Sequence, residues 1–219
     1  MAESTVRVEA GEAVGPHLRA GAVVVLAPGV HAGGLVIGCS LTLRGEPGAV
    51  IDAERRGPGL VVAEDGLNVL VEGLTVRGGA GEAGGGLQLT GWSEVTLRRV
   101  TLEDNQATLS KGGVGGGAFV LRGQLTAEDC TFRNNRAGVG NDLAVWGAAR
   151  CVVRGGFFAG DVSCRDGAEL TIVGAHVTGQ LALCGTTTRT PVVVLKGARI
   201  DGGVANDVNL PATLSVEHG

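Results

Sequence analysis

Ten polar residues fall in three glycine-containing stretches of this 219-residue chain, at 77–86, 103–117 and 133–142. They are Glu82, Asp104, Asn105, Lys111, Arg133, Asn134, Asn135, Arg136, Asn141 and Asp142. Two chemistries are available to such a set. The carboxylates offer the oxygen ligands that a hard cation such as Ca²⁺ prefers. The lysine and arginines offer positive charge to an acidic partner, or a proton acceptor beside one. The plainer reading is that Asn105 and Asn135 tie their own turns by bonding backbone groups, while the arginines are solvated. Both readings need the three stretches brought to one place, so the elements between them decide.

Those elements repeat. The runs Val71-Glu-Gly-Leu-Thr-Val76, Leu97-Arg-Arg-Val-Thr-Leu102, Ala127-Glu-Asp-Cys-Thr-Phe132, Val153-Arg-Gly-Gly-Phe-Phe158, Ile172-Val-Gly-Ala-His-Val177 and Leu195-Lys-Gly-Ala-Arg-Ile200 start 26, 30, 26, 19 and 23 residues apart. In each, an apolar residue precedes a usually polar one, then comes a bend residue, then a triplet with mostly apolar ends. Alternation this short is a half-buried strand. The bend residue is Gly in four copies and Arg99 or Asp129 in the others. Unequal spacing suits a solenoid whose loops vary while its strands stay in register.

The alignment predicts specific columns. Leu74, Val100, Cys130, Gly156, Ala175 and Ala198 stack inside, as do Val76, Leu102, Phe132, Phe158, Val177 and Ile200. Thr75, Thr101, Thr131, Phe157, His176 and Arg199 face outward. A second outward column, Glu72, Arg98, Glu128 and Arg154, alternates in charge. Runs at 22–26, 35–37, 41–43, 49–51 and 59–62 extend the pattern toward the N-terminus. The expectation is one all-β domain, a single-stranded right-handed parallel β-helix of about eight coils. Residues 1–32 form a short cap and first coil, 33–203 regular coils and 204–219 an irregular last coil. Loops at one corner of such a stack are neighbours, so the three polar stretches should meet.

Composition fits a narrow, ring-poor core: 44% hydrophobic residues, 3% aromatic, no Tyr and 40 Gly. The net charge is −4, with no basic run to favour nucleic acid. No apolar stretch is long enough to span a membrane. Residues 1–8 lack a signal-peptide layout, so a cytoplasmic location is expected. The five cysteines include no Cys-x-x-Cys and read as reduced, mostly buried thiols. The four histidines are scattered and read as surface or core residues; Trp92 and Trp146 read as packing at coil corners.

The runs Gly21-Ala-Val-Val-Val-Leu-Ala-Pro-Gly-Val-His31, Leu41-Thr-Leu-Arg-Gly-Glu-Pro-Gly-Ala-Val-Ile-Asp52 and Val69-Leu-Val-Glu-Gly-Leu-Thr-Val-Arg-Gly-Gly79 resemble the opening of pectate-lyase-like right-handed β-helix proteins. Gly116-Gly-Ala-Phe119 and Phe132-Arg-Asn-Asn135 resemble the paired steps of polymorphic outer-membrane autotransporter repeats, with Leu102-Glu-Asp-Asn105 a degenerate copy. The first resemblance implies the fold and leaves function open, since that superfamily holds lyases, hydrolases, epimerases, adhesins and non-catalytic modules. Under a lyase reading, the acidic residues would bind Ca²⁺. Lys111, Arg133 or Arg136 would then act on the proton beside a uronate carboxylate. The Asp pair and Gly-His-Gly of galacturonase-type enzymes are absent from the sequence. The leading expectation is therefore a non-catalytic scaffold or binding module for a protein or polysaccharide, with no cofactor. A polysaccharide lyase or hydrolase, and self-assembly through the coil ends, stand as alternatives.

Overall fold

The computed structural model describes residues 4–108, 112–185, 189–206 and 212–217. Three long sheets contain ten, eight and eight strands, and every pairing is parallel. Each coil visits the sheets in one order, as in Glu94–Arg98, Thr101–Glu103 and Ala118–Val120. The next coil repeats it with Gln124–Glu128, Thr131–Arg133 and Leu143–Trp146. Strands therefore neighbour each other in sequence order, and the chain is a parallel β solenoid. The only other helical or sheet elements among the described residues are one 3₁₀ turn, Gly15–His17, and a two-stranded pairing of Ala80–Gly81 with Gln106–Ala107.

The predicted columns are present residue for residue. Val76, Leu102, Phe132, Phe158, Val177 and Ile200 pair in succession, and the first five are buried. The Phe132 and Phe158 rings stack with centroids 4.4 Å apart. The bend residues all adopt positive φ, at Gly73, Arg99, Asp129, Gly155, Gly174 and Gly197. A left-handed residue turns the chain sharply between two strands of one coil, which glycine does without steric cost and Asp with little.

The outward charge column also holds. Glu72 accepts from Arg44 in the coil below at 2.5 Å and lies 3.8 Å from Arg98 above, and Arg98 donates to Glu128 at 2.9 Å. Glu72 and Arg98 thus bridge adjacent coils, and Arg154 stands exposed in register with Glu128. At the N-terminal end, Val14 is buried against the core, so the segment after the Ser4–Val8 strand closes the interior. No helix among the described residues is long and apolar enough to cross a membrane.

Candidate functional site

The three polar stretches do meet, and they stack as the coils do. Ala83 bridges to Val114 and Val114 to Val139; Ala80 pairs with Gln106, and Gln106 bridges to Arg136. The arms fold back over the outer face of the third sheet. There Val114, Phe119 and Ala144 form a second apolar cluster, flanked by Ala83, Leu121, Val139 and Trp146.

Most of the candidate polar groups at this corner are used to build it. Asn105 is buried, donating from Nδ2 to the Val76 carbonyl at 3.0 Å and accepting the Gly79 N–H on Oδ1 at 2.9 Å. Asn135 is stacked on it. Its Oδ1 accepts the Asn105 N–H at 3.1 Å, and its Nδ2 donates to the Leu102 carbonyl and to Asp142 Oδ1, each at 2.9 Å. Asp142 Oδ2 accepts the Gly160 N–H at 2.6 Å. The result is a buried ladder, Asn105–Asn135–Asp142, that satisfies the turn backbone of three coils. Burial pushes the Asp142 carboxyl above its usual range and Asp161 adds to this, while the Asn135 and Gly160 donors oppose it.

The ladder explains why the two sequence steps occur together. A Cβ at Gly117 would lie 3.0 Å from Asn135 Nδ2, and one at Gly86 would lie 2.8 Å from Asn105 Nδ2. The glycine step makes room for the amide contributed by the asparagine step.

The remaining candidates divide further. Arg133 is ion-paired with Glu103 at 2.5 Å. Asn141 accepts from the Ala137 N–H at 2.8 Å and donates to Asp161 at 3.0 Å. Asp104 and Asn134 sit exposed at turn tips with positive φ. Together with Arg55, Gln106 and Arg136 they line a polar concavity of 570 Å³, with Asn105 and Asn135 in its wall. Glu82 is exposed on the first arm, its carbonyl accepting the Val114 N–H at 3.3 Å. Lys111 lies outside the described residues. Among the described residues, no three His, Cys, Asp or Glu are grouped to hold a metal ion.

A second hollow follows the outer face of the ten-stranded sheet. Its floor is the column Val23, Thr42, Leu70, Thr96 and Thr126, one residue per coil. Ser40, Asn68, Glu94 and Gln124 form one wall, and Arg98 stands on the other. Its volume is 390 Å³. Glu94 and Gln124 also line an adjoining hollow of 570 Å³ with Trp92, Arg150 and Glu169. Trp92, 54% exposed, stands at this junction. Trp146 instead packs edge-on against Phe119, with Arg165 5.4 Å from its ring centre. Sequence reasoning did not single out this face.

The isolated titratable groups fit structural roles. His31 is buried, with Nε2 2.8 Å from the Ala27 carbonyl, and His176 lies 2.7 Å from Asp201 on the outer face. All five cysteines are free. Burial pushes Cys130 up to about 11 and Cys164 to about 12, and raises Cys151 as well. Thiols so shifted are poor nucleophiles at neutral pH. No family model, curated protein or solved structure matches the chain.

Proposed function

We propose that this chain is a non-catalytic binding module built on a right-handed, pectate-lyase-like β-helix of about eight coils, and that its ligand is a linear polysaccharide. Two sheets of eight strands support the coil number, and the strong right-handed preference of parallel crossovers supports the hand. One observation carries the functional reading. The hollow on the ten-stranded sheet crosses five coils, presents one Val, Thr or Leu as its floor in each, and ends near an exposed Trp. A chain laid across the rungs meets a hydroxyl, amide or apolar floor about every 4.8 Å, with an aromatic face for a sugar ring at one end.

Affinity electrophoresis through gels containing linear polysaccharides tests this. Wild type should be retarded by at least one polymer. Trp92→Ala should lose most of that retardation, and Thr96→Lys, which fills the floor, should abolish it. Free migration in every polymer, together with a co-purifying protein lost on Thr96→Lys, would assign the face to a protein partner instead.

A lyase acting on acidic polysaccharide is the second reading. It rests on Asp104 and Arg136 sharing one concavity. Incubation with uronate polymers and Ca²⁺ would then raise ultraviolet absorbance from unsaturated ends, and Arg136→Ala would remove the signal.

A further inference from the structure

The ten-stranded sheet exceeds the other two by one strand at each end, Ser4–Val8 and Thr213–Glu217. Each stands last in the strand order, so each presents an edge with no strand partner among the described residues. Leu214 and Val216 occupy core-facing columns, paired with the buried Val193 and Leu195, yet are 41% and 56% exposed. A free parallel edge above an open apolar column is a template for another strand.

We propose that copies of this chain associate head to tail, the Thr213–Glu217 edge of one copy pairing in parallel with the Ser4–Val8 edge of the next. This goes beyond the binding role proposed above and does not depend on it. The registers of successive strands, carried through the sheet, align the chain's two ends. Leu214 falls over Ser4, Ser215 over Thr5, Val216 over Val6 and Glu217 over Arg7. Val6 faces the core column and is part-buried. The chain's own first strand therefore offers an apolar residue to Val216, a hydroxyl to Ser215 and a cation to Glu217.

The charge match continues a pattern already inside the molecule. Glu72 is shared between arginines of the coils on either side. Glu217 pairs with Lys196 below at 2.9 Å and would likewise be shared with Arg7 above. Arg7 in turn bonds Glu46 at 2.9 Å and contacts Glu9, as one arginine spanning two carboxylates. The opposite arrangement, two C-terminal edges meeting about a two-fold axis, would set Glu217 against Thr213 and use neither charge. Val14 closes the core at the N-terminal end, so the contact is a strand edge and little more. A contact that small gives weak, concentration-dependent association. Because the two surfaces differ, it adds copies in a row without closing.

Sedimentation of the full chain across a concentration range, at low salt, tests the proposal. Wild type should show a weight-average mass that rises with concentration. Arg7→Glu and Glu217→Arg should each weaken association about tenfold, since one cross-strand pair changes from attractive to repulsive. An equimolar mixture of the two variants should recover wild-type association, because every joint between unlike copies pairs opposite charges again. That recovery separates a joint from damage to either strand. A strict monomer at every concentration, association indifferent to both substitutions, or weakened variants that mixing does not restore would each overturn the proposal. Undiminished self-association of Glu217→Arg alone would point to the two-fold arrangement and overturn it too.

Discussion

The corner between the second and third sheets is built in two ways along the molecule. Over residues 77–142 the chain leaves the coil in long arms; the residue after the turn tip is Gly79 in the first, and in the second and third it is Asn105 or Asn135, buried with its amide spread across neighbouring backbones. From residue 159 onward three residues close each turn, and the middle one is Gly160, Gly179 or Gly202. There the coils touch backbone to backbone. A Cβ at Gly179 would lie 2.3 Å from the Gly160 carbonyl carbon, and one at Gly202 would lie 2.5 Å from that of Gly179. The difference teaches what an arm requires. When the chain departs, the backbone groups that a tight turn would pair are left over, and a buried amide takes their place. When the chain stays, the position must be empty.

The largest break should come from the ladder. Asn135→Ala strands the Leu102 carbonyl and the Asn105 N–H and removes a donor to Asp142, so a loss of about 3 kcal/mol is expected in urea unfolding. Asn105→Ala, which frees the Val76 carbonyl and the Gly79 N–H, should cost about 2 kcal/mol by the same measurement. At the tight corner the expected failure is the reverse, crowding: Gly179→Ala should cost about 2 kcal/mol, with the unfolding midpoint as readout.

Asp142 joins the two regions, since it takes Asn135 on one oxygen and Gly160 on the other. Its carboxyl titrates above the unfolded value, so the native state holds more protons than the unfolded state between those two values. Asp142 therefore lowers stability as pH rises through that window, starting near the ordinary carboxylate value of about 4. Asp142→Asn sets an amide against the Gly160 N–H and should destabilise at all pH. Its deficit relative to wild type should shrink as pH rises, measured by unfolding at pH steps from 4 to 7. Asp52 has the opposite sign. Burial opposes its ionisation, but the Glu54 N–H and Arg77 together hold it below the usual range. Its contribution is full above about pH 4 and is lost as pH falls through the depressed value. The smallest effect is expected on the sheet face. Glu128→Gln breaks a half-exposed pair with Arg98 and should change stability by about 0.5 kcal/mol or less.

The inner columns were legible because alternation, bend residue and spacing all pointed to one register. Arg99 and Asp129 could be aligned with glycines only through that register, and both adopt the positive φ the glycines do. The meeting of the polar arms followed from the same stacking. Their internal use did not, because an Asn that ties turns and an Asn that waits for a ligand look alike in a sequence. What separates them is burial, which depends on Gly86 and Gly117 in other parts of the chain. The apolar cluster under the arms left a fainter signal. Ala118, Phe119 and Val120 are all apolar, and such an uninterrupted run marks a strand buried on both faces. The hollow beside Trp92 had none of this. Its Thr, Val and Leu floor has the composition of any solvent-facing column.

The buried thiols give the solenoid an internal clock. Cys130 stands at one coil's bend, and Cys151 and Cys164 belong to the coil that follows. All three are sealed from solvent and held protonated. Each becomes reactive only when its own rung unzips. The order in which they take up an alkylating reagent, read by mass spectrometry after digestion, would therefore show from which end the coil unwinds, with no cysteine introduced for the purpose.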